Sequence, residues 1–440
     1  MRRVLSIAFA SSLMACSVLA QNTDIEALSG LNFNFANPGA RSLGMGGAFI
    51  GLADDASAAE ANPAGLTILR KLEISIEGRN YETSQTYNVG GTFPDLTQAD
   101  FNAFSRSAEV SFGSVVIPVG RGSIAAYYHQ PLNYQNEILN IFGETDPRTG
   151  AFNVVPITFF LGPSGPTSQA DCDRIGAPGC QQYNLFPFFT GVDIKMQTAG
   201  LAGAYSFGKL SIGAAARYHE FKEVATTFRT DFDTNPLSQI TQTSDTDDVT
   251  FTAGFKWAMS ERFSVGGVYK QGAQFDAPVF FESVDDPLTQ LDTPSFHVPD
   301  IIGVGLSLRP VPVLTINADA IQVNYSNLTD DFRGVLGAPN SGYTSEDVTE
   351  LHFGAEYFFT SRIPVAIRGG YWRDPAHSTE FTGPLTTFQG VAARILYPPG
   401  QDQDHYSVGV GLAWPNFQID AAYETSDTFK VGSISAVTRF

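Results

Sequence analysis

The chain has 440 residues with 45 acidic and 26 basic side chains, which gives a formal net charge of −19 at pH 7. This acidic balance excludes binding to nucleic acids by neutralisation of their phosphates. After residue 20 there is no run of about 18 apolar residues, so we expect no membrane-spanning helix. The 42 glycines, many at inward positions of predicted strands, argue against the packed core of a soluble β-protein.

The N-terminus has the pattern of a signal peptide. Arg2 and Arg3 form its charged region, residues 4–13 are mostly apolar, and Ala20 ends a small-residue cleavage site. A lipoprotein box that ends at Cys16 is an alternative, but methionine at its second position fits poorly. We therefore predict cleavage after Ala20 and assign residues 1–20 to a signal peptide.

Residues 21–69 are rich in small and turn-forming residues and do not alternate regularly. Their glycines, acidic pair and Asn-Pro-Ala turn are Gly44, Gly46, Gly47, Asp54, Asp55, Asn62, Pro63 and Ala64. The glycine spacing matches no phosphate-binding loop. The acidic pair has two interpretations, a cation site or helix capping with ion pairing, and we favour the second. Because the segment precedes the first strand, we predict that it folds inside a barrel as a hatch, with one helical turn at 57–61.

From residue 70 to the C-terminus, about fourteen segments alternate apolar residues with polar or tiny ones. Near the end, for example, Tyr406, Val408 and Val410 alternate with Ser407 and Gly409. A period of two indicates a strand with two different faces. The predicted strands lie near 72–81, 108–118, 121–130, 192–206, 209–230, 248–258, 262–281, 297–309, 312–325, 348–359, 363–373, 404–414, 416–425 and 431–440.

The connections between these strands alternate between tight turns and long loops. The long loops are predicted near 82–107, 131–191, 231–247, 282–296, 326–347 and 374–403. This alternation, after a signal peptide, is typical of a transmembrane antiparallel β-barrel. We therefore predict an all-β fold, with a barrel at 70–440 and the hatch at 21–69 in its lumen. The predicted location is the outer membrane of a Gram-negative bacterium, with both chain ends in the periplasm.

The longest predicted loop contains a cysteine pair and an apolar run. Cys172 and Cys180 are close together in a Gly/Pro-rich loop of an exported chain, which predicts a disulfide. The run contains Phe186, Phe188 and Phe189. These side chains are candidates either for contact with a hydrophobic ligand or for packing within the loop, and both interpretations remain open.

No sequence motif indicates catalysis. The six histidines are scattered, and neither a G-x-S-x-G nor an H-E-x-x-H pattern occurs. We expect no enzymatic activity, no cofactor and no bound metal.

Several of these segments together resemble the FadL/TodX-type family of outer-membrane long-chain fatty acid transporters. They are residues 53–57 (Ala-Asp-Asp-Ala-Ser), 62–65 (Asn-Pro-Ala-Gly), 298–305, 314–319, 324–326, 405–411 and 420–423. The resemblance implies a monomeric barrel of fourteen strands with a hatch whose turn at Asn62, Pro63 and Ala64 acts in gating. It implies passive uptake of fatty acids or other hydrophobic small molecules, with lateral release into the membrane lipid where one strand kinks. Pro131 makes the third strand the candidate, because proline removes a backbone hydrogen-bond donor.

A second resemblance leaves the function open. Residues 37–49 also resemble PorV-like barrels, which act in protein secretion and surface attachment. Both groups share the fold, so this similarity affects the expected partner and not the expected architecture.

Overall fold

The computed structural model describes residues 35, 37–103, 109–140, 143–145, 148–149, 152–154, 156–185, 188–231, 235–284, 287–329, 342–360 and 362–440. The predicted signal peptide at 1–20 and the first part of the predicted hatch at 21–34 lie outside these residues.

Fourteen strands form one closed antiparallel barrel. They are β1 (Glu73–Thr92), β2 (Glu109–Val119), β3 (Gly122–Asn140), β4 (Phe188–Phe207), β5 (Leu210–Thr230), β6 (Pro236–Ser260), β7 (Phe263–Lys270), β8 (Ile301–Val311), β9 (Leu314–Val323), β10 (Val348–Phe359), β11 (Val365–Asp374), β12 (Gln403–Ala413), β13 (Phe417–Thr425) and β14 (Phe429–Arg439). Each strand pairs with the next, and β14 pairs with β1 from Phe429 opposite Thr83 to Arg439 opposite Glu73. The predicted barrel and its strand number are confirmed.

The alternation of the sequence separates two faces of the wall. Ile76 and Val408 are 52% and 61% exposed on the outside, whereas the neighbouring Glu77 and Ser407 are buried inside. The outside is thus an apolar band, and the inside carries charged and hydroxyl side chains. This inverts the pattern of a soluble barrel, in which apolar side chains fill the interior.

The two ends of the barrel differ. At one end, here called the turn end, adjacent strands are joined by turns of two to five residues, such as 120–121 and 360–364. At the other, the loop end, most connections are long. The loops predicted at 82–107 and 231–247 are wrong in part, because β1 extends to Thr92 and β6 begins at Pro236. These extensions are rich in threonine. Threonine favours strands but is polar, so the extensions lack the alternation of apolar residues that indicates a strand.

Smaller elements at the loop end cover the barrel. They are helices α3 (Gln169–Ile175) and α4 (Phe388–Leu396), a 3₁₀ helix (Tyr325–Thr329), and the short strands Asp95–Ala103, Gly143–Thr145, Phe152–Val154, Ile157–Gly162, Gly165–Thr167, Gln181–Leu185, Gln274–Asp276, Val279–Ser283, Thr289–Asp292, Ser295–His297, Tyr343–Thr344 and Glu380–Phe381. Across the described parts of the chain, every helix is too short or too polar to cross a membrane.

Residues 37–69, here called the luminal segment, pack against inward-facing residues of the barrel wall. The segment contains α1 (Ala40–Leu43), α2 (Ala58–Ala61) and a 3₁₀ helix (Pro63–Ile68), and nearly all its residues are buried. Its helix α2 covers most of the helical turn predicted at 57–61. One face of the segment packs Phe49, Leu52 and Leu66 against apolar side chains of β2 to β5.

Candidate functional site

Asn62 attaches the luminal segment to the barrel wall. Its side chain is fully buried and donates hydrogen bonds to the carbonyl oxygens of Ile50, at 3.2 Å, and of Phe255 on β6, at 3.1 Å. Its Oδ1 accepts from the backbone N–H of Ala64 at 3.2 Å, which caps the 3₁₀ helix that begins at Pro63. Proline suits this first helical position because it has no N–H to satisfy.

Glycines on the wall make room for this contact. At Gly213, Gly254 and Gly266, on β5, β6 and β7, an added Cβ atom would lie only 2.3–2.4 Å from atoms of the luminal segment. Any larger side chain at these positions would push the segment off the wall. Part of the high glycine content of the inward face thus has a specific cause, which is the close approach of a second backbone.

The three glycines predicted in the hatch have two different roles. Gly46 and Gly47 have φ values of 62° and 75°, a backbone conformation that favours glycine. Gly44 has an ordinary φ, but its added Cβ would lie 3.0 Å from the Cα of Gly409 on β12. Together they let the chain turn tightly against β10 to β12.

A buried ion network joins the luminal segment to the opposite wall. The Arg41 guanidinium lies 2.5 Å from Asp54 Oδ1 and donates from Nη2 and Nε to the two oxygens of Glu356 on β10, at 2.8 and 2.9 Å. Glu356 is also 2.6 Å from Arg368 on β11, which in turn lies 2.8 Å from Asp420 on β13. Alternating charges therefore connect one turn of the segment to three strands.

The predicted acidic pair is satisfied by cations and by backbone groups. Asp54 also lies 2.8 Å from Arg309, and Asp55 accepts hydrogen bonds from the backbone N–H and hydroxyl of Ser57. Burial alone would raise the pKa of Asp54, but Arg41 and other nearby cations outweigh it and lower this pKa. Within the described ranges, no cluster of three His, Cys, Asp or Glu side chains could hold a metal ion.

Glu60 is the centre of a second charged cluster. Its carboxylate lies 3.1 Å from Lys270 on β7, 3.8 Å from Arg217 on β5 and 4.0 Å from His129 on β3. Burial raises the pKa of Glu60, but these three groups outweigh burial and bring it to about 2. With two fixed cations around one carboxylate, the cluster carries a net positive charge.

A first cavity lies between the luminal segment and strands β10 to β12. His352, Trp372 and His405 are cross-strand neighbours there, and their rings stack with centroids 4.9 and 3.9 Å apart. His352 is hydrogen-bonded through its two ring nitrogens to the Gly46 carbonyl, at 2.6 Å, and to Glu350, at 3.0 Å. The ring of His352 therefore links the luminal segment at Gly46 to the wall at Glu350.

A second cavity adjoins the first on the side of β3 to β5. Apolar and cationic side chains line it together, among them Pro131, Met196, Val298, Arg217, Lys270, His129 and His219. Arg217 is buried, and its Nε has no hydrogen-bond partner among the described residues. Phe35, Lys270 and Ile301 line both cavities, so these side chains form the boundary between them.

The barrel wall is irregular beside the second cavity. Gln130 and Pro131 of β3 together oppose the single residue Gln197 of β4, which is a bulge at the proline. On the other side, the ladder between β2 and β3 ends at Phe112 opposite His129, and beyond it the described residues of β3 pair with β4 alone. Strand β2 also has a register shift next to Ser111. Within the described residues, the strand pairing of the wall therefore has a break between β2 and β3, next to the bulge at Pro131 where the strand kink was predicted.

No family model matches the chain, and no curated protein matches it by sequence. Solved structures do match nearly its whole length. A FadL homologue from Pseudomonas aeruginosa has a TM-score of 0.59 and 16% identity, with 90% of this chain and 97% of that chain covered. The toluene transporters TodX of P. putida and TbuX of Ralstonia pickettii have TM-scores of 0.59 and 0.55, at 12% and 15% identity. The match covers 93% of this chain in both cases, and 99% and 100% of theirs.

The chain has the fold of these transport barrels. The predicted resemblance is thereby confirmed for the architecture. Two of the matched proteins are named as toluene transporters, and the third is named as a FadL homologue.

The elements at the loop end form an apolar cluster, here called the cap. Phe159, Tyr183 and Phe388 pack with ring centroids 5.3–5.6 Å apart, which joins the loop after β3 to helix α4. Cys172 and Cys180 lie in the first of these loops and are bonded. Of the predicted contact residues, Phe186 lies outside the described residues, and Phe188 and Phe189 are described only as backbone at the start of β4.

Sequence reasoning missed the residues that connect the luminal segment to the wall. The sequence does not single out these residues, because their partners are 150 or more positions away or on strands of unknown register. They are Arg41, Glu356, Arg217 and Lys270. The one available signal was that charged residues occupy inward-facing positions in the alternating strands. The alternation along a strand identifies which side chains face the lumen, but it does not identify which of them contact one another.

Proposed function

We propose that this chain is an outer-membrane barrel that takes up hydrophobic small molecules passively, with the luminal segment as its hatch. The observation that carries the proposal is the break in the wall between β2 and β3 beside the second cavity. A channel for water-soluble solutes has no use for a lateral opening, whereas an apolar ligand that leaves sideways enters lipid directly. The fold shared with a protein named as a monoaromatic hydrocarbon channel and with two named toluene transporters supports this assignment.

The arrangement supports a route in four steps. A ligand is first captured on the apolar cap, around the partly exposed Tyr183 and Phe388. It then enters the first cavity, passes Phe35 into the second cavity, and leaves through the wall at Pro131. Each step offers apolar side chains, so the ligand is not returned to water between the loops and the lipid.

The charge of the second cavity supports amphipathic anions, such as long-chain fatty acids, as the ligand class. Among the residues that the structure describes, Arg217 and Lys270 pair with a single carboxylate, Glu60, and the buried Arg217 Nε has no hydrogen-bond partner. A ligand carboxylate would satisfy this donor with a charge-assisted hydrogen bond. The apolar neighbours Met196 and Val298 would contact its acyl chain.

The test is uptake of radiolabelled oleate and toluene by Gram-negative cells that lack their own fatty acid transporter. The decisive variant is S111C/Q130C, in which a disulfide would bridge the two strands at the break. The matched control is V115C/A126C, which pairs two residues within the intact ladder. The unsubstituted chain is treated with the same oxidant and reductant, because it has a disulfide of its own.

We expect oxidation to stop uptake of both probes in S111C/Q130C and to leave V115C/A126C unaffected. We expect Arg217→Gln to raise the KM for oleate at least about tenfold and to leave toluene uptake unchanged, because only oleate carries a charge. Unchanged uptake through the bridged wall would exclude lateral release. A folded surface barrel that takes up neither probe would contradict the proposed function as a whole.

A further inference from the structure

Exposed cations form a ring at the turn end. Its members, here called the turn-end cations, are Arg70, Lys71, Arg121, Lys209, Arg262 and Arg362. Arg121, Lys209 and Arg262 lie on three consecutive turns, which are about 10 Å apart because each step crosses two strands. The ammonium group of Lys71 donates a hydrogen bond to the side-chain oxygen of Asn416, in the turn after β12, at 3.0 Å.

The turn-end cations differ from the cations at the loop end in their partners. Among the described residues, none of the six makes an ion pair, and Glu261 is the single carboxylate side chain in these turns. At the loop end, by contrast, Arg174, Lys222, Arg373 and Lys430 each lie within 3.2 Å of a carboxylate. Across the described ranges, a chain with a net charge of −19 thus has a group of exposed cations without ion pairs at its turn end.

A girdle of aromatic side chains lies next to this ring on the outer surface. Its members are Tyr205, Phe207, Trp257, Phe359, Trp414, Phe417 and Phe440, which are 38–68% exposed. Phe207 precedes Lys209 by two residues, and Phe359 precedes Arg362 by three. Exposed aromatic rings mark the level of the membrane interface. The turn-end cations therefore lie where the phosphates of the lipid headgroups are.

We propose that the turn-end cations bind anionic phospholipids of the membrane leaflet on that side. The inference rests on the proposed membrane location but not on any property of the transported ligand. An unpaired guanidinium or ammonium group at the interface attracts an anionic headgroup, and each such cation changes lipid affinity about fivefold. A phosphate would supply the counter-charge that these six side chains lack among the described residues.

The experiment uses the full chain in nanodiscs with equal amounts of phosphatidylglycerol and phosphatidylcholine that carry the same acyl chains. Native mass spectrometry after detergent extraction then measures the ratio of the two lipids that stay bound. One variant, R121Q/K209Q/R262Q/R362Q, neutralises four turn-end cations. The control, R174Q/K222Q/R373Q/K430Q, makes the same change in net charge at the loop end.

We expect the native chain and the loop-end variant to retain phosphatidylglycerol preferentially. In the turn-end variant, we expect the ratio of bound phosphatidylglycerol to bound phosphatidylcholine to fall at least about fivefold. An unchanged ratio in the turn-end variant, or an equal loss in both variants, would overturn the inference. Binding of an acidic protein instead of lipid would also leave the ratio unchanged. Oleate uptake by the native chain in vesicles is measured in parallel, so that failure of the proposed function is distinguished from failure of this inference.

Discussion

Arg41 is the residue whose removal should release the luminal segment most directly. Its guanidinium contacts Asp54 within the segment and both oxygens of Glu356 on the wall, and its side chain is 11% exposed. Removing one partner of a buried ion pair costs about 3–5 kcal/mol. Glu356 keeps Arg368, and Asp54 keeps Arg309, so we expect Arg41→Gln to cost about 3 kcal/mol, near the lower limit.

A cost of about 3 kcal/mol shifts the equilibrium between the docked and displaced segment about 150-fold. The assay is ion current through single barrels in a planar lipid bilayer, because a displaced segment leaves a water-filled lumen. The matched control is Arg309→Gln, which removes a second partner of Asp54. Arg309 is 40% exposed, so its ion pair contributes less than about 1 kcal/mol.

We expect Arg41→Gln to open far more often than the native barrel, and Arg309→Gln to behave nearly as the native barrel does. The reasoning would be refuted if the two variants gave equal currents, or if Arg41→Gln unfolded the barrel instead of opening it. Heat-resistant mobility on gels distinguishes an open barrel from an unfolded one.

Three further predictions concern the luminal segment and the cap. Deleting residues 21–69 should leave a folded barrel that conducts ions, and an unfolded or closed product on gels and in bilayers would contradict the hatch role. Ionised Glu60 has a pKa of about 2, below its ordinary value of 4.5, so it stabilises docking above pH 4.5 and loses this effect as the pH falls towards 2. Bilayer current should therefore rise across that range, and Glu60→Gln should remove the rise, whereas a rise of equal size in that variant would refute the assignment. Cys172→Ser should slow oleate uptake and make the cap more sensitive to proteases, with barrel melting unchanged; a large loss of heat-resistant mobility would show that the disulfide supports the barrel.

The strands could be predicted from the sequence because their two faces meet different solvents. Fourteen alternating segments were expected near their observed positions, and β10 was predicted at its observed bounds of 348–359. The predicted loop at 231–247 was wrong because polar β-branched residues extend a hairpin without an apolar period. Thr227 and Ile240, for example, are paired within it. The alternation of apolar and polar residues reveals the part of a strand that faces the membrane. It does not reveal the part of the same strand that continues beyond the membrane.

The cavities could not be predicted, because they depend on which strands are neighbours and in which register. His352, Trp372 and His405 are separated by 20 and 33 positions in the chain, yet they stack as cross-strand neighbours. In the linear sequence these three residues are scattered, and no motif groups them. A one-residue slip of β11 would turn Trp372 to the outside, so the stack exists only once the register is known.

The two faces of the luminal segment differ in how easily they can leave the wall. Towards β2 to β5 an apolar cluster lies beside the ion pairs of Glu60 with Arg217 and His129, and water cannot replace the apolar contacts. The face towards β9 to β11, here called the polar face, has ionic and polar contacts, from Arg41 to Glu356 and from the backbone N–H groups of Phe49 and Ile50 to Asp319. Water can solvate these groups once they part, which lowers the net cost. We therefore expect displacement to begin at the polar face. The first cavity borders that face at His352, so a ligand that arrives from the cap meets the side that moves first.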